Sequence, residues 1–276
     1  MDRPVAPFTP HADLVPGPGR ARLFFVLHGA FGSGNNFRLF AKKLAAEHPD
    51  TAFWLVDVRG HGRSRGAEPP HDLAAAAADL ARLEAAAGVR ASGVIGHSLG
   101  GKLALAYAAS RPGELDEVWV LDADPGPRSK VGSPTLGVLA LLRELSGPHA
   151  ARADFVAAVC ARGLSRTVAD WLAMSLERTA DGYRVGLELD VVAALLESYF
   201  GLDLWPEVER PDGHRALPFV VGGASDAVSP AGQERLGGLA AAGALGVRLH
   251  VLPGAGHWLH VDAPDALRAL FARERP

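Results

Sequence analysis

Four short, nearly unbroken apolar runs mark the first half of the chain: RLFFVLHG from Arg22, AFWLVDVRG from Ala52, SGVIGHS from Ser92 and EVWVLDADPG from Glu117. Each ends in glycine or a charged turn, the pattern of strands buried on both faces of a parallel sheet. The stretches between them, NNFRLFAKKLAAEH from Asn35, HDLAAAAADLARLEAAAG from His71 and LGGKLALAYAASRP from Leu99, predict helices, the last stopped by Pro112. Strand alternating with helix predicts an α/β fold with a doubly wound, mostly parallel sheet, because parallel neighbours need a crossover. The alternation returns near the C-terminus with LPFVVGG from Leu217, a helix opened by Ser229 as N-cap and Pro230, VRLHVLPG from Val247 and APDALRALFAR from Ala263. One sheet is therefore expected to draw strands from both halves.

Between Asp122 and Leu217 the alternation stops, and the pattern predicts helices at 136–146, 153–161 and 168–177, then a turn at Asp181-Gly182. The expected organisation is a core domain of residues 1–124 and 212–276, with a helical cap of residues 125–211 inserted between two strands. Residues before Arg20, rich in proline and glycine, give no strand pair. The alanine run after Leu73 is helix-favouring composition.

Composition narrows the function. Apolar residues make up 48% and charged residues 21% of 276, ordinary for a folded chain. A net charge of -3 without a basic run gives no reason to expect nucleic acid or an anionic membrane as partner. Cys160 is the single cysteine, so no internal disulfide is expected and a thiolate metal site is disfavoured. The N-terminus has no sustained apolar segment, and no stretch reaches the ~20 apolar residues of a membrane span, which together point to the cytoplasm. Small molecules are the expected partners.

In GVIGHSLGGK, Ser98 lies between Gly96 and Gly100 where a buried strand passes into a helix. A turn tight enough to expose a serine oxygen there needs small residues on both sides. The helix N-terminus adds unpaired N–H groups and a positive dipole end, which favour an oxyanion. The competing explanation is that Ser98 only caps the helix. As a nucleophile Ser98 needs a base, and His257 and His260 in PGAGHWLHVDAP both offer one. His257 is preferred because it follows a strand end by a short glycine-containing loop, while His260 lies toward the next helix. The base in turn needs an acid. Asp226, just past the strand LPFVVGG, is preferred since Ser229 already fills the capping role, and Asp122 and Asp124 at the end of EVWVLD remain the alternative. Two amides are expected to form the oxyanion hole, those of Leu99 and of Ala30 in LHGAFGSG, with Phe31 as a substitute for Ala30. DVRGHGRS is expected to be a turn tied down by Asp57 and Arg59. His28, His61 and His97 share neighbouring strand ends, but without a carboxylate or thiol at ligand spacing no metal is expected.

With HG at His28, D-x-R-G-H-G-x-S from Asp57, G-H-S-L-G-G-K from Gly96 and G-A-G-H-W from Gly254, the chain resembles the α/β-hydrolase fold family from Arg22 onward. Lys102 and the segment from Trp171 to Asp190 make it similar to the small capped serine carboxylesterases of the abhydrolase-domain type. The resemblance implies a cofactor-free hydrolase of carboxylic esters or thioesters, with Ser98, Asp226 and His257 as triad in family order. The cap, carrying Leu136, Leu139, Leu142, Phe155, Trp171, Leu172 and Met174, would roof an apolar acyl pocket, or those residues would form the cap's own core. Alternatives are a lyase, synthase or carbon–carbon bond hydrolase of the same fold and, from another class, a non-catalytic receptor with a vestigial triad.

Overall fold

The computed structural model describes residues 8–19, 21–209, 216–243 and 246–274. The chain runs β1 (Ala12–Val15), β2 (Arg22–Leu27), α1 (Arg38–Glu47), β3 (Thr51–Val56), α2 (Leu73–Ala87), β4 (Gly93–His97), α3 (Leu99–Ala109) and β5 (Glu117–Leu121). It then leaves the sheet for α4 (Pro134–Glu144), α5 (Arg152–Ala161), α6 (Arg166–Leu172), the hairpin β6 (Leu176–Thr179) and β7 (Gly182–Val185), α7 (Leu189–Gly201) and α8 (Trp205–Val208). It returns as β8 (Leu217–Gly222), α9 (Pro230–Ala241), β9 (Val247–Leu252), α10 (Leu259–Asp262) and α11 (Pro264–Glu274).

Seven strands form one sheet in the order β1-β3-β2-β4-β5-β8-β9, parallel except for β1. Alternate side chains divide the core between its faces. Phe24, Val26, Phe53, Ile95 and Trp119 pack with α1 and α11, while Phe25, Leu27, Val94, Val118 and Val120 pack with α2, α3 and the helices after β5. The strands are covered on both faces, as their continuous apolar runs require. Truncating a side chain as completely enclosed as Phe53 to alanine is expected to cost about 3–5 kcal/mol.

Two differences from the sequence expectation stand out. β1 pairs antiparallel with β3 through Ala12↔Val56 to Val15↔Phe53, so a strand precedes Arg20 after all. It is four residues long, mostly half-exposed and bounded by Pro10 and Pro16, too short to show a period. The third helix after β5 ends at Leu172, and a one-turn 3-10 helix leads into the β6–β7 hairpin, whose turn holds Asp181. The expected boundary at 211/212 lies outside the described residues. Among the described residues, no helix is long and apolar enough to cross a membrane.

Candidate active site

Strand register brings the candidate residues to one edge of the sheet. His97 pairs with Leu121 and Leu121 with Val220, so Ser98 and Asp122 are each the first residue past the paired part of adjacent strands. Both leave the strand with left-handed backbone, Ser98 at φ 54° and Asp122 at φ 50°. The ladder still holds their amides, Ser98 N–H donating to Leu121 at 2.9 Å and Asp122 N–H to Val220 at 2.8 Å. A serine in that region is strained, and the strain persists because strand and helix fix both of its ends.

Glycines make the turn at Ser98 possible. A Cβ on Gly96 would lie 2.0 Å from the Gly100 oxygen, and one on Gly100 would lie 2.4 Å from the Leu27 oxygen. Ser98 is half-buried, and Leu99 is the first residue of α3, so its N–H has no acceptor within the helix. The loop after β2 passes close by: a Cβ on Gly29 would meet the Ser98 Cβ at 3.2 Å. Gly32 N–H closes that loop onto the Gly29 carbonyl at 3.2 Å, and Phe31 within it has φ 64°. Ala30, Leu99, Ser98 and His257 line one cavity together.

His257 meets Asp122, not Asp226. Its Nδ1 is 2.7 Å from Asp122 Oδ2, and since a carboxylate only accepts, Nδ1 carries the proton and Nε2 is left as an acceptor. Asp122 is fully enclosed and also accepts from the Gly222 amide at 3.0 Å and from the Ser225 hydroxyl. Asp226 lies at the exposed tip of the loop after β8; its carbonyl accepts from Arg128 Nη2 at 2.9 Å, and its carboxylate has no partner among the described residues. The expectation that Asp226 orients the base is therefore corrected in favour of the alternative, Asp122. Asp226 does line the cavity holding Ser98 and His257.

The neighbouring histidines are held as neutral rings. Burial pushes His97 well below the ordinary 6.5, and any charge on His257 or His260 lowers it further. Its Nε2–H donates to the His257 carbonyl at 2.7 Å, tying the loop that carries His257 to the end of β4. His260 stacks on Phe37 with ring centroids 4.0 Å apart, and burial lowers it to about 4. His28 donates from Nδ1 to the Gly29 carbonyl at 2.8 Å and accepts the Val58 amide on Nε2 at 3.0 Å, so both ring nitrogens serve the fold. The turn at Asp57 is tied down as expected: Asp57 accepts from the Gly34 and Arg63 amides, and Arg59 meets Asp79 through Nε at 2.7 Å.

Sequence reading did not single out Ser225, Arg128 or the anchoring role of Lys102. Lys102 is fully buried on α3, and its ammonium donates to the carbonyls of Gly126 at 2.6 Å and Tyr199 at 2.7 Å, joining the loop after β5 to α7. Burial lowers it to about 8, partly offset by Asp124 and Asp203. Its only signal in the sequence is its place one helical turn past Ser98.

Two cavities open on Ser98 and His257. One, of about 240 Å³, is walled mainly by apolar side chains such as Phe31, Phe37, Val138, Leu164, Val168 and Trp171. The other, of about 610 Å³, carries Arg128, Ser129, Ser133, Asp226 and Ser229 beside Tyr199 and Phe200. Of the cap residues expected to roof an acyl pocket, Trp171 alone reaches the smaller cavity. Leu139, Leu142, Phe155 and Leu172 are buried in the core, and Met174 is half exposed.

A family model described as the alpha/beta hydrolase fold matches residues 22–264. The sn-1-specific diacylglycerol lipase ABHD11 of Mus musculus is 27% identical over 272 residues, spanning 94% of this chain and 84% of that protein. Esterase YbfF of Escherichia coli (strain K12) is 31% identical over 248 residues, 89% of this chain and 90% of its own length. Among solved structures, a marine microorganism esterase superposes with a TM-score of 0.82 at 23% identity, covering 97% of this chain and 100% of its own, a likeness of fold.

Proposed function

The chain belongs to the alpha/beta hydrolase fold family, and from that premise we propose that it hydrolyses carboxylic esters through an acyl-enzyme on Ser98. The observation that carries the proposal is the strained, glycine-flanked Ser98 at the head of α3, sharing a cavity with a histidine hydrogen-bonded to a buried carboxylate. The relatives named esterase and lipase support the substrate class.

A hydroxyl is a weak nucleophile until a base takes its proton. Ser98 Oγ attacks the acyl carbon as its proton passes to His257 Nε2, the acceptor left free by the bond from Nδ1 to Asp122. The charge developing on the carbonyl oxygen is met by the amides of Leu99 and Ala30, with the dipole of α3 behind them. His257 then returns the proton to the leaving alcohol as the carbon–oxygen bond breaks. Water repeats the sequence on the acyl-enzyme, freeing the acid and restoring Ser98. Asp122 holds the imidazole in the productive tautomer and balances its charge. Residues 125–211 serve as a cap on a core formed by 1–124 and 212–276.

A fluorophosphonate probe should label Ser98, and Ser98→Ala should lower kcat for a p-nitrophenyl ester by roughly 10^6-fold. Undiminished labelling and turnover in Ser98→Ala would contradict the proposal.

A further inference from the structure

We propose that the hydroxyl of Tyr199 is a further catalytic group of this site, donating a hydrogen bond to the leaving oxygen of the ester as its bond to the acyl carbon breaks. The inference rests on the esterase reading above and adds to it a donor carried by α7, away from the strand ends that hold Ser98, Asp122 and His257.

Tyr199 is buried on α7 and lines the cavity that also holds Ser98, Leu99, Ala30 and His257. A buried hydroxyl ordinarily has a hydrogen-bond partner. That of Tyr199 has none among the described residues and is not sealed off from open space, so it is turned toward the cavity and left ready for a group that enters there. Burial pushes the phenol up to about 12, with Arg128 opposing the shift and Asp124 and Asp122 adding to it. At neutral pH the oxygen therefore keeps its proton and acts as a donor.

The ring is held in place on two sides. Lys102 Nζ donates to the Tyr199 carbonyl at 2.7 Å and lies 5.0 Å from the ring centre, and Phe200 meets the ring edge to face with centroids 5.3 Å apart. Lys102 belongs to α3, the helix that Ser98 precedes, so nucleophile and phenol are anchored to one rigid element. A donor fixed in advance needs no reordering when charge develops.

In the mechanism above, two amides meet the charge on the acyl oxygen, while the leaving oxygen has only the proton on His257 Nε2. Tyr199 supplies the second donor there. As the carbon–oxygen bond breaks, its electron pair passes to the leaving oxygen and His257 gives that oxygen a proton. Tyr199 keeps its own proton throughout, and its hydrogen bond stabilises the negative charge that builds before the transfer is complete. A strongly basic alkoxide gains much from such a bond. A p-nitrophenolate, whose charge is spread over ring and nitro group, leaves readily without it.

The test compares ethyl and p-nitrophenyl esters of one acid on the intact wild-type chain and on Tyr199→Phe, which removes the hydroxyl and keeps the ring between Lys102 and Phe200. For the ethyl ester, kcat/KM, which reports acylation, should fall by roughly ten- to a hundredfold, the range of a hydrogen bond to a charged oxygen. For the p-nitrophenyl ester the fall should be less than about threefold. Across aryl esters of graded leaving-group basicity, kcat/KM should decline more steeply in Tyr199→Phe than in the wild type. An equal loss on both esters, as a purely structural role would give, or no loss on either would overturn the proposal. So would a wild-type chain with Ser98-dependent turnover of the p-nitrophenyl ester and none of the ethyl ester. Failure of the esterase reading has another signature, the absence of Ser98-dependent turnover on every ester of the set.

Discussion

β5 and β8 each deliver an aspartate to the edge of the sheet where His257 waits, but only the end of β5 is built to hold a charge in place. Asp122 is enclosed and receives the His257 ring, the Gly222 amide and the Ser225 hydroxyl. The turn that follows it is tied to α3 through Lys102 on the Gly126 carbonyl, and to the head of α9 through Asp124 on Ser229. Asp226 stands four residues past the end of β8, exposed, with its backbone held and its carboxylate free among the described residues. A buried carboxylate bonded three ways is fixed in place, and so is the histidine ring bonded to it. An exposed one keeps its capacity for a ligand. Of two aspartates at neighbouring strand ends, Asp122 meets His257 and Asp226 does not.

The sharpest way to break this contrast is to replace each carboxylate by an uncharged amide of the same size. Asp122→Asn should lower kcat for a p-nitrophenyl ester by roughly 10^3 to 10^4-fold, because an amide favours the wrong imidazole tautomer and leaves its charge unbalanced. Asparagine tolerates left-handed backbone, so the fold should survive. Asp226→Asn should cost less than about tenfold on the same ester, since its carboxylate does not meet His257 and has no partner among the described residues. Steady-state kinetics of the two variants decides the matter, and a reversed order would return the acid's role to Asp226. A smaller effect is expected from Ser225→Ala, which removes one donor from the Asp122 carboxylate and should lower kcat by about tenfold.

A last effect, read in stability and not in turnover, concerns the anchoring of the β5 end. Lys102 has an ordinary pKa of 10.5 in the unfolded chain and about 8 in the folded one. Between those values the unfolded chain holds the proton and the folded chain does not, so this group makes stability rise with pH from about 8 to about 10.5. Urea unfolding of wild type and Lys102→Met across that window should show the wild type gaining relative to the variant, and parallel curves would contradict the shift.

Much of this was legible in the residues and some was not. The apolar runs and their glycine ends locate β2 to β5, β8 and β9, because strands buried on both faces leave an unambiguous pattern. They also place Ser98, His257, Ala30 and Leu99 at strand ends, and the structure brings all four to one cavity. The choice between Asp122 and Asp226 was not legible, since periodicity locates where a strand stops but not how far the loop beyond it carries a side chain. β1 escaped because four residues between prolines show no period, and their pairing depends on β3, more than thirty residues away. The β6–β7 hairpin was hidden under a helical pattern that runs past Leu172; tertiary contacts, including Arg152 donating to the carbonyls of Ala173 and Leu176, fix the change.

The central claim is that Ser98 carries the acyl group between the two halves of the reaction. It is tested most directly by rapid quenching of the chain with a p-nitrophenyl ester, followed by intact and peptide mass measurement. A mass increment equal to the acyl group, on the peptide containing Ser98 and formed as p-nitrophenol is released, is the predicted result. Release of p-nitrophenol with no increment at any time, or an increment on another residue, would contradict it.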